Sequence, residues 1–345
     1  MTFYLLSVKL FTKIAARRNL GAKTMEELRC ASFFAGVGGI DLAFENAGFK
    51  TIYANEFDSN ACKTYELNFN LKVDCRDINI VEASEIPDFD IMLAGFPCQA
   101  FSVAGYRQGF DDEKGRGGLF FELCRILKEK NPPVVFLENV KNLVGHDNGN
   151  TFRVILSKLN EMGYHIKYQV MNAMEYGNVP QNRERIYIVA FKSREAYQAF
   201  EFPQPIELKT KISDIINSVD RLDAGYYYTK KSCAFYDQLK DAVKDKNTVY
   251  QWRRVYVREN KSNVCPTLTA NMGTGGHNVP IVLTPFGIRK LTPHECFEFQ
   301  GYPKKYNLPV DLAQTHLYKQ AGNSVVVPVI ERIARNIVEA IKEIK

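Results

Sequence analysis

The feature that most constrains the fold is an alternation of short β-rich runs with amphipathic helical segments between Cys30 and about Phe191. Strands that alternate with helices form βαβ units, in which the strands pair in parallel and the helices cover both faces of the sheet. The sequence therefore predicts a doubly wound, mostly parallel α/β sheet. Its candidate strands are residues 30–34, 51–55, 90–94, 134–138 and 186–191.

The chain is expected to divide where this alternation stops. From 192 to 287, polar and strand-like stretches mix with prolines and a glycine-rich run, which predicts a second, smaller, mostly β domain. Apolar residues then return to helical spacing, so the C-terminal segment is expected to pack back on the first domain. The predicted units are an N-terminal extension (1–24), a first domain (25–191), the second domain (192–287), a hinge (288–317) and the C-terminal segment (318–345).

Composition excludes several classes of protein. No apolar run approaches the roughly 20 residues of a membrane helix. The 8 cysteines form no CxxC pair, which predicts neither a disulfide framework nor a metal site, and indicates a reducing compartment. The net charge is +6, but residues 1–24 carry +5 of it, so charge does not by itself indicate a nucleic-acid partner. This basic extension is expected to be dispensable; a targeting or membrane-surface helix is the alternative.

A glycine-rich turn follows the first candidate strand. Phe34-Ala35-Gly36-Val37-Gly38-Gly39 stands between that strand and a helix, where glycines let the backbone approach a ligand at the helix N-terminus. Glu56 ends the next candidate strand, 20 residues after Gly36, and a carboxylate there accepts hydrogen bonds from ribose hydroxyls. Asp77 is placed for an adenine contact. The order predicts an adenosine-containing cofactor and leaves NAD, FAD and S-adenosylmethionine open.

Other reactive side chains stand near predicted strand ends, where ligands bind in open α/β sheets. Cys98 follows one candidate strand, Glu138 closes another, and Arg183 and Arg185 lead into a third. Burial at a strand end raises the pKa of a carboxyl and suits it to proton delivery. A fifth segment, 320–324, is predicted to form a turn heading the last helix. Each segment alone also fits a structural role, such as an inert buried thiol, a solvated turn or a helix cap.

Taken together and in this order, the segments resemble the DNA (cytosine-5) methyltransferase family, in particular the bacterial modification enzymes. The matching segments, between Phe34 and Pro328, are FAGVGG, GFPCQAFS, ENV, QNRERIYIVA, RKLTPHECFEFQGYP and YKQAGNSVVVP. The PCQ and ENV pair is highly specific for this family. The resemblance implies a Rossmann-like methyltransferase fold that uses S-adenosylmethionine, releases S-adenosylhomocysteine and needs no metal.

The resemblance also implies roles for four catalytic residues. Cys98 is the nucleophile that adds to C6 of cytosine and makes C5 reactive toward a methyl donor. Glu138 holds and protonates N3, Arg185 contacts O2 and Arg183 supports the site. The target cytosine is expected to flip out of the duplex, and the glycine-rich segment 102–118 to close over it.

The cofactor site implied by the resemblance departs from the family at two positions. Ser32 stands where family members often have Asp, and Arg76 where they often have Gly. The residues predicted to bind S-adenosylmethionine are Phe34, Gly36, Gly38, Glu56, Phe57, Asp77, Ile78, Pro97, Leu119 and Asn323.

Residues 192–287 correspond to the family's target-recognition domain. They include 14 Lys and Arg against 10 Asp and Glu, and the stretch 251–261 interleaves arginines with aromatic residues. Such a pattern suits phosphate contact and guanine recognition; an exposed basic strand is the structural alternative. The residues predicted to contact DNA are Gln99, Ser102, Arg253, Arg254, Arg258 and Thr267.

The predicted function is methylation of cytosine C5 in a short duplex DNA site by the modification enzyme of a restriction–modification system. A tRNA cytosine-5 methyltransferase of the same fold and a catalytically silent DNA-binding relative are the alternatives. The enzyme is expected to act as a monomer on DNA in a bacterial cytoplasm, paired functionally with a restriction endonuclease and without a membrane partner.

Overall fold

A computed structural model of the protein describes residues 28–97, 118–253, 255–260, 262–273 and 279–342. Four residues predicted to act on the substrate or on DNA, Cys98, Gln99, Ser102 and Arg254, lie outside the described residues. So do the predicted N-terminal extension and all but the last residue of the glycine-rich segment 102–118.

A six-stranded sheet forms the centre of the larger domain. Its strands are β1 (Arg29–Phe33), β2 (Lys50–Asn55), β3 (Ile91–Ala94), β4 (Val134–Val140), β5 (His165–Asn172) and β7 (Glu184–Phe191). They lie in the order β2-β1-β3-β4-β7-β5. The first four pair in parallel, whereas β7 is antiparallel to β4 and β5. The predicted mostly parallel α/β sheet is confirmed, with one antiparallel strand.

β5 is the strand that the sequence pattern did not predict. It lies at the edge of the sheet, and its first six residues are exposed or only half-buried. An edge strand that is not covered on both faces needs no continuous apolar run, so the sequence HIKYQVMN lacks the signal that marks the central strands.

Helices cover both faces of the sheet. They are α1 (Gly39–Asn46), α2 (Ser59–Asn68), α3 (Leu119–Lys130), α4 (Asn150–Glu161), α5 (Ala173–Tyr176), α6 (Arg194–Ala199), α7 (Ile212–Ile215), α8 (Tyr236–Ala242), α9 (Pro293–Glu298), α10 (Gln314–Asn323) and α11 (Val327–Lys342). Val134 and Phe136 of β4 pack on the face covered by α1 and α11, and Val135 and Leu137 pack on the face covered by α3 and α4. This alternation buries both faces. None of these helices is long and apolar enough to cross a membrane.

An antiparallel sheet forms the smaller domain. Its strands are β8 (Tyr250–Arg253), β9 (Tyr256–Glu259), β11 (Ile281–Thr284) and β12 (Gly287–Lys290). They pair in the order β12-β11-β8-β9. Trp252 stacks on Phe235 with ring centroids 3.9 Å apart, in a small core that includes Leu239 of α8. The predicted second, smaller β domain is present.

Apolar residues after β7 pack in the core beside the six-stranded sheet. Phe200, Phe202, Ile212 and Ile216 are buried in the core of the larger domain. The smaller sheet, in turn, continues to Lys290. Because the segment after β7 has little regular secondary structure, no periodic pattern revealed which core it joins.

Two short strands join the domains. β6 (Gln181–Asn182) pairs in parallel with β10 (Cys265–Pro266), which places Pro266 opposite Asn182. The segment that follows β10 therefore lies beside the residues that lead into β7.

The C-terminal helix packs on the larger domain. α11 packs against α1. Its buried apolar residues include Val329, Ile330, Ile333, Ile337 and Ile341. The segment 320–323, predicted as a turn, is instead the last turn of α10, and Ser324 ends that helix.

One cysteine pair differs from the expectation of no disulfide. Cys62 and Cys75 are joined, with Cα atoms 6.5 Å apart. A bridge between Asn55 and Asp74 lays the segment beside β2 and brings the two cysteines together. Their spacing in the sequence gave no sign of this proximity.

Candidate active site and cofactor cavity

The glycine-rich turn between β1 and α1 adopts the left-handed backbone conformation at three residues. Phe34, Gly36 and Gly38 have φ angles of 53°, 57° and 79°. A non-glycine residue in this region costs on the order of 1 kcal/mol or more, so Phe34 must be held there by its surroundings. A Cβ atom added to Gly38 would lie 2.3 Å from a ring carbon of Phe69, so only glycine fits at this position.

Glu56 faces this turn from just beyond β2. Its carboxylate accepts hydrogen bonds from the backbone N–H groups of Gly36, at 2.9 Å, and Asp58, at 2.8 Å. Burial raises the pKa of Glu56, and these backbone donors oppose the shift. Each carboxylate oxygen keeps a lone pair for another donor, such as a sugar hydroxyl.

Asp77 and Ile78 form a further wall. Asp77 Oδ1 accepts a hydrogen bond from the Asn79 N–H at 3.0 Å and caps a short 3₁₀ helix that begins at Ile78. The side chain of Arg76, at the position that departs from the family, pairs with Asp74 at 2.7 Å. Because Arg76 points toward Asp74, it does not displace Asp77 from this wall.

These elements enclose a cavity of about 650 Å³ at the carboxyl edge of the parallel strands. Of the residues predicted to bind the cofactor, all but Gly38 line it. The lining residues among them are Phe34, Gly36, Glu56, Phe57, Asp77, Ile78, Pro97, Leu119 and Asn323. Gly38 instead packs against Phe69, behind the cavity wall.

Glu138 and Arg185 form an ion pair in the wall of the same cavity. Arg185 Nε lies 3.1 Å from Glu138 Oε1, and the side chains are only 14% and 10% exposed. Burial raises the pKa of Glu138, while the positive charges of Arg185 and Arg183 oppose the shift. A carboxyl with a raised pKa can hold a proton closer to neutral pH than an ordinary glutamic acid does.

Arg183 connects three parts of the backbone. Its guanidinium donates to the carbonyl oxygens of Leu268 at 2.8 Å, Gly322 at 3.2 Å and Ser324 at 2.5 Å. Burial lowers the pKa of Arg183 to about 9, which still leaves the group charged at neutral pH. The arginine pair therefore divides: Arg185 contacts Glu138, and Arg183 holds the segments around it.

Asn139 is a polar residue of this site that the sequence analysis did not single out. Its Nδ2 donates to the Phe96 carbonyl at 2.8 Å, and its Oδ1 accepts from the Val140 N–H at 2.8 Å. Asn139 thereby fixes the chain just before Pro97 and Cys98. The ENV motif contains it, but only the carboxylate had an obvious chemical role.

A second, polar cleft of about 540 Å³ lies between the two domains. Arg253, Arg258 and Thr267, three of the residues predicted to contact DNA, line it. Gln251, which was not predicted, lies opposite Arg258 in the β8–β9 pair and also lines the cleft. The Thr267 hydroxyl donates to the Asn182 carbonyl at 2.6 Å, which links the two domains. In this arrangement the hydroxyl can accept a hydrogen bond from a ligand but cannot donate one.

The described residues contain no group of three or more His, Cys, Asp and Glu side chains that would hold a metal ion. The polar side chains that line the two cavities carry carboxylates, amides, hydroxyls, guanidiniums and one ammonium group, that of Lys319.

Comparison with known families identifies one match along most of the chain. A sequence model of the C-5 cytosine-specific DNA methylase family matches residues 28–339.

Two relatives illustrate the similarity. Type II methyltransferase M.Bsp6I of Bacillus sp. (strain RFL6) is 63% identical over 311 residues, which cover 90% of this chain and 98% of that protein. Type II methyltransferase M.HhaI of Haemophilus parahaemolyticus is 40% identical over 330 residues, covering 91% and 95%.

Solved structures show the same fold at lower identity. A mutant DNMT2 of Spodoptera frugiperda superposes with a TM-score of 0.69 at 20% identity, covering 90% of this chain and 100% of that one. A putative DNA modification methyltransferase encoded within an E. coli prophage gives a TM-score of 0.66 at 20% identity, covering 91% and 99%.

Proposed function

The chain belongs to the C-5 cytosine-specific DNA methylase family, and from this premise we propose that it methylates a flipped-out cytosine with S-adenosylmethionine as donor. Its similarity to type II methyltransferases identifies it as a DNA cytosine-5 methyltransferase of the type II restriction–modification kind. The observation that carries the finer proposal is the Glu138–Arg185 pair in the wall of a cavity that also presents Glu56 and Asp77.

The cavity suits S-adenosylmethionine in its chemistry. Phe34, Phe57 and Ile78 offer apolar surface to a flat ring, and Glu56 keeps lone pairs for ribose hydroxyls. The carboxylates of Glu56 and Asp77 favour a cationic ligand. When bound, S-adenosylmethionine supplies an electrophilic methyl group.

Cys98, Glu138 and Arg185 are proposed to activate the base together. The Cys98 thiolate forms a bond to C6 as the C5–C6 π bond breaks, and the electron pair of that bond is stabilised within the ring because protonated Glu138 donates a proton to N3. Arg185 donates to O2. These steps leave C5 nucleophilic. After methylation, a base removes the C5 proton, the electron pair of that C–H bond re-forms the C5–C6 double bond, and the Cys98–C6 bond breaks to release the thiolate. The N3 proton returns to Glu138.

The environment of Glu138 supports this role. A carboxyl with a raised pKa is a better reservoir for the N3 proton than an exposed glutamate, and Arg185 keeps it oriented. Arg183 is proposed to hold the surrounding backbone without contacting the base.

We propose that the duplex occupies the cleft between the domains. Arg253 and Arg258 would contact phosphates or guanine edges there. A stacked cytosine does not reach a cavity inside the protein, so the target must rotate out of the helix, which costs a few kcal/mol. A restriction endonuclease that cuts the same site, in the same bacterial cytoplasm, is the proposed functional partner.

The proposed function is tested by incubating a defined plasmid with the protein and labelled S-adenosylmethionine, followed by bisulfite sequencing of every cytosine. We expect protected cytosines at one short motif. Label in tRNA with unmodified DNA would instead support the tRNA enzyme, and transfer to neither would support a silent DNA-binding relative.

A further inference from the structure

A buried carboxylate that the proposed mechanism does not use lies directly behind the glycine-rich turn. Asp41, in the first turn of α1, is 0% exposed. Its Oδ2 accepts a hydrogen bond from the Ser32 hydroxyl at 2.9 Å, and its Oδ1 accepts one from the Tyr65 hydroxyl at 2.9 Å. Both partners are buried as well.

The three residues belong to three elements that frame the turn. Ser32 lies near the end of β1, which enters the turn, and Asp41 lies in α1, which leaves it. Tyr65 comes from α2, on the far side of β2 in the sequence. One carboxylate therefore ties together the strand, the helix and a supporting helix.

Tyr65 carries this connection to the apex of the turn. Its ring stacks on Phe69 with centroids 4.4 Å apart. Both rings lie against Gly38, since an added Cβ there would be 2.3 Å from Phe69 and 3.0 Å from Tyr65. The ring whose hydroxyl Asp41 holds is thus part of the surface on which the turn rests.

Stability alone does not explain a buried carboxylate at this position. Burial raises the pKa of Asp41 to about 7, which reflects the penalty for a charge in the core, and well-packed apolar side chains often replace such groups without loss. Directed hydrogen bonds, unlike apolar packing, fix a single backbone geometry. Phe34 and Gly36, which line the cavity in the left-handed conformation, need surroundings that fix their backbone in this way.

We propose that Asp41 is a positioning residue for cofactor binding: it holds the glycine-rich turn in the shape that receives the cofactor, without touching the cofactor. Asp41 is not among the residues that line the cavity. The inference rests on the proposed function, because it takes S-adenosylmethionine as the occupant of that cavity.

Asp41→Asn is the first test. The hydroxyls of Ser32 and Tyr65 each donate to a separate carboxylate oxygen of Asp41, whereas an amide has only one acceptor oxygen. By calorimetry we expect the Kd for S-adenosylmethionine to rise about tenfold. We expect kcat at saturating cofactor to change by less than about twofold, and the Kd for DNA to stay the same, since the turn lines the cavity and not the cleft in which we propose that the duplex lies.

Asp90→Asn is the matched control. Asp90 is also 0% exposed and accepts a hydrogen bond from the Arg29 N–H at 3.0 Å, but it precedes β3 and so lies at the opposite edge of the sheet. This variant is expected to lower Tm and leave the cofactor Kd unchanged. The double variant Ser32→Asp with Asp41→Ser exchanges the two side chains, so that the carboxylate stands on β1 and the hydroxyl on α1. It keeps a hydroxyl–carboxylate hydrogen bond between these two positions and is expected to restore most of the affinity for S-adenosylmethionine.

The outcomes separate this inference from the function on which it rests. A wild-type protein that binds no S-adenosylmethionine would overturn both. Wild-type binding with unchanged affinity in Asp41→Asn would overturn the positioning role alone. So would a loss of affinity in Asp90→Asn that matches the loss in Asp41→Asn at equal Tm, because the effect would then follow stability rather than the turn.

Discussion

The cofactor cavity and the cleft between the domains present two different ways of placing functional side chains. In the cavity, Glu138 and Arg183 are buried and have defined partners several elements away in the chain. In the cleft, Arg253 and Arg258 are exposed residues of the β8–β9 hairpin and face an open, polar space. The cavity is specified by packing, whereas the cleft is specified by which side chains a hairpin presents.

The comparison indicates how each region tolerates change. A substitution in the cavity leaves a buried polar partner unsatisfied, so both chemistry and stability are sensitive to it. A substitution in the cleft removes a side chain from an open, polar surface and leaves no buried polar group without a partner. Mutations should therefore alter rate and stability in the first region and choice of DNA sequence in the second.

The largest effect is expected at Cys98. Cys98→Ser replaces a thiol that ionises readily by a hydroxyl that does not, so turnover should fall by more than about 10⁴-fold. Calorimetry with S-adenosylmethionine and a gel-shift titration with DNA should show both ligands still bound. Full methylation by this variant would mean that another group attacks C6.

Glu138→Gln removes the proposed proton donor but keeps the size of the side chain. We expect kcat to fall by about 10²–10⁴-fold. In the proposed mechanism the protonated form of Glu138 is the active one, so the wild-type rate should decline as pH rises through the raised pKa of Glu138, and the variant should lose this decline. Glu161→Gln, on the exposed end of α4, serves as the control. A pH–rate profile that is unchanged by the Glu138 substitution would contradict the assignment.

Arg183 and Arg185 sharpen the division within the cavity. Arg183→Lys keeps the charge but cannot serve three carbonyl groups in the same geometry, so we expect a loss of about 2–3 kcal/mol in the free energy of unfolding. Arg185→Lys should instead lower kcat with a small change in Tm. Thermal unfolding and steady-state kinetics on both variants measure the difference; the reverse pattern would exchange their roles.

Arg258→Ala probes the cleft. If Arg258 reads a base, the free energy of binding to the preferred DNA site should weaken by about 1–3 kcal/mol. The enzyme should then also accept other bases at one position of the site. If Arg258 contacts a phosphate, all sites should weaken alike and the salt dependence of binding should decrease. Arg221→Ala, an exposed arginine that does not line the cleft, is the control. Equal methylation by wild type and Arg258→Ala at every site would remove Arg258 from the interface.

The last prediction concerns the pH dependence of stability. The pKa of Asp41 is about 7 in the folded protein, against an ordinary value of 3.8. The protonated carboxyl therefore contributes stability that is full below about pH 3.8 and is lost as pH rises through about 7. Between these limits the Tm of the wild type should fall with rising pH more than that of Asp41→Asn, by roughly 2–4 °C for each kcal/mol lost. Parallel Tm curves would show that Asp41 does not titrate in this range.

Much of the cavity was predictable from the sequence because its determinants are local. The glycines after β1, the carboxylate after β2 and Glu138 near the end of β4 each belong to a short pattern that an alternating α/β chain places at one edge of the sheet. The motif order then implied which chemistry these groups serve. The strand β5 was missed because it has no strong periodic signal.

Other features of the site depend on contacts between distant parts of the chain. Asn139 holds Phe96, and the Arg183 guanidinium reaches a carbonyl 139 residues further along. Gln251 enters the cleft through its pairing with Arg258. No spacing in the sequence encodes these distances, so the residues looked like ordinary polar positions.

By itself the sequence determined the α/β alternation, the order of the motifs and the residue types near the strand ends, because hydrophobic periodicity and turn chemistry act over a few residues. Only the tertiary structure decided that β7 runs antiparallel, that Arg183 and Arg185 face different partners and that Asp41 lies behind the glycine-rich turn. The physical reason is that these outcomes depend on strand order and on the burial of polar groups against remote segments, which become defined only when the whole core is packed.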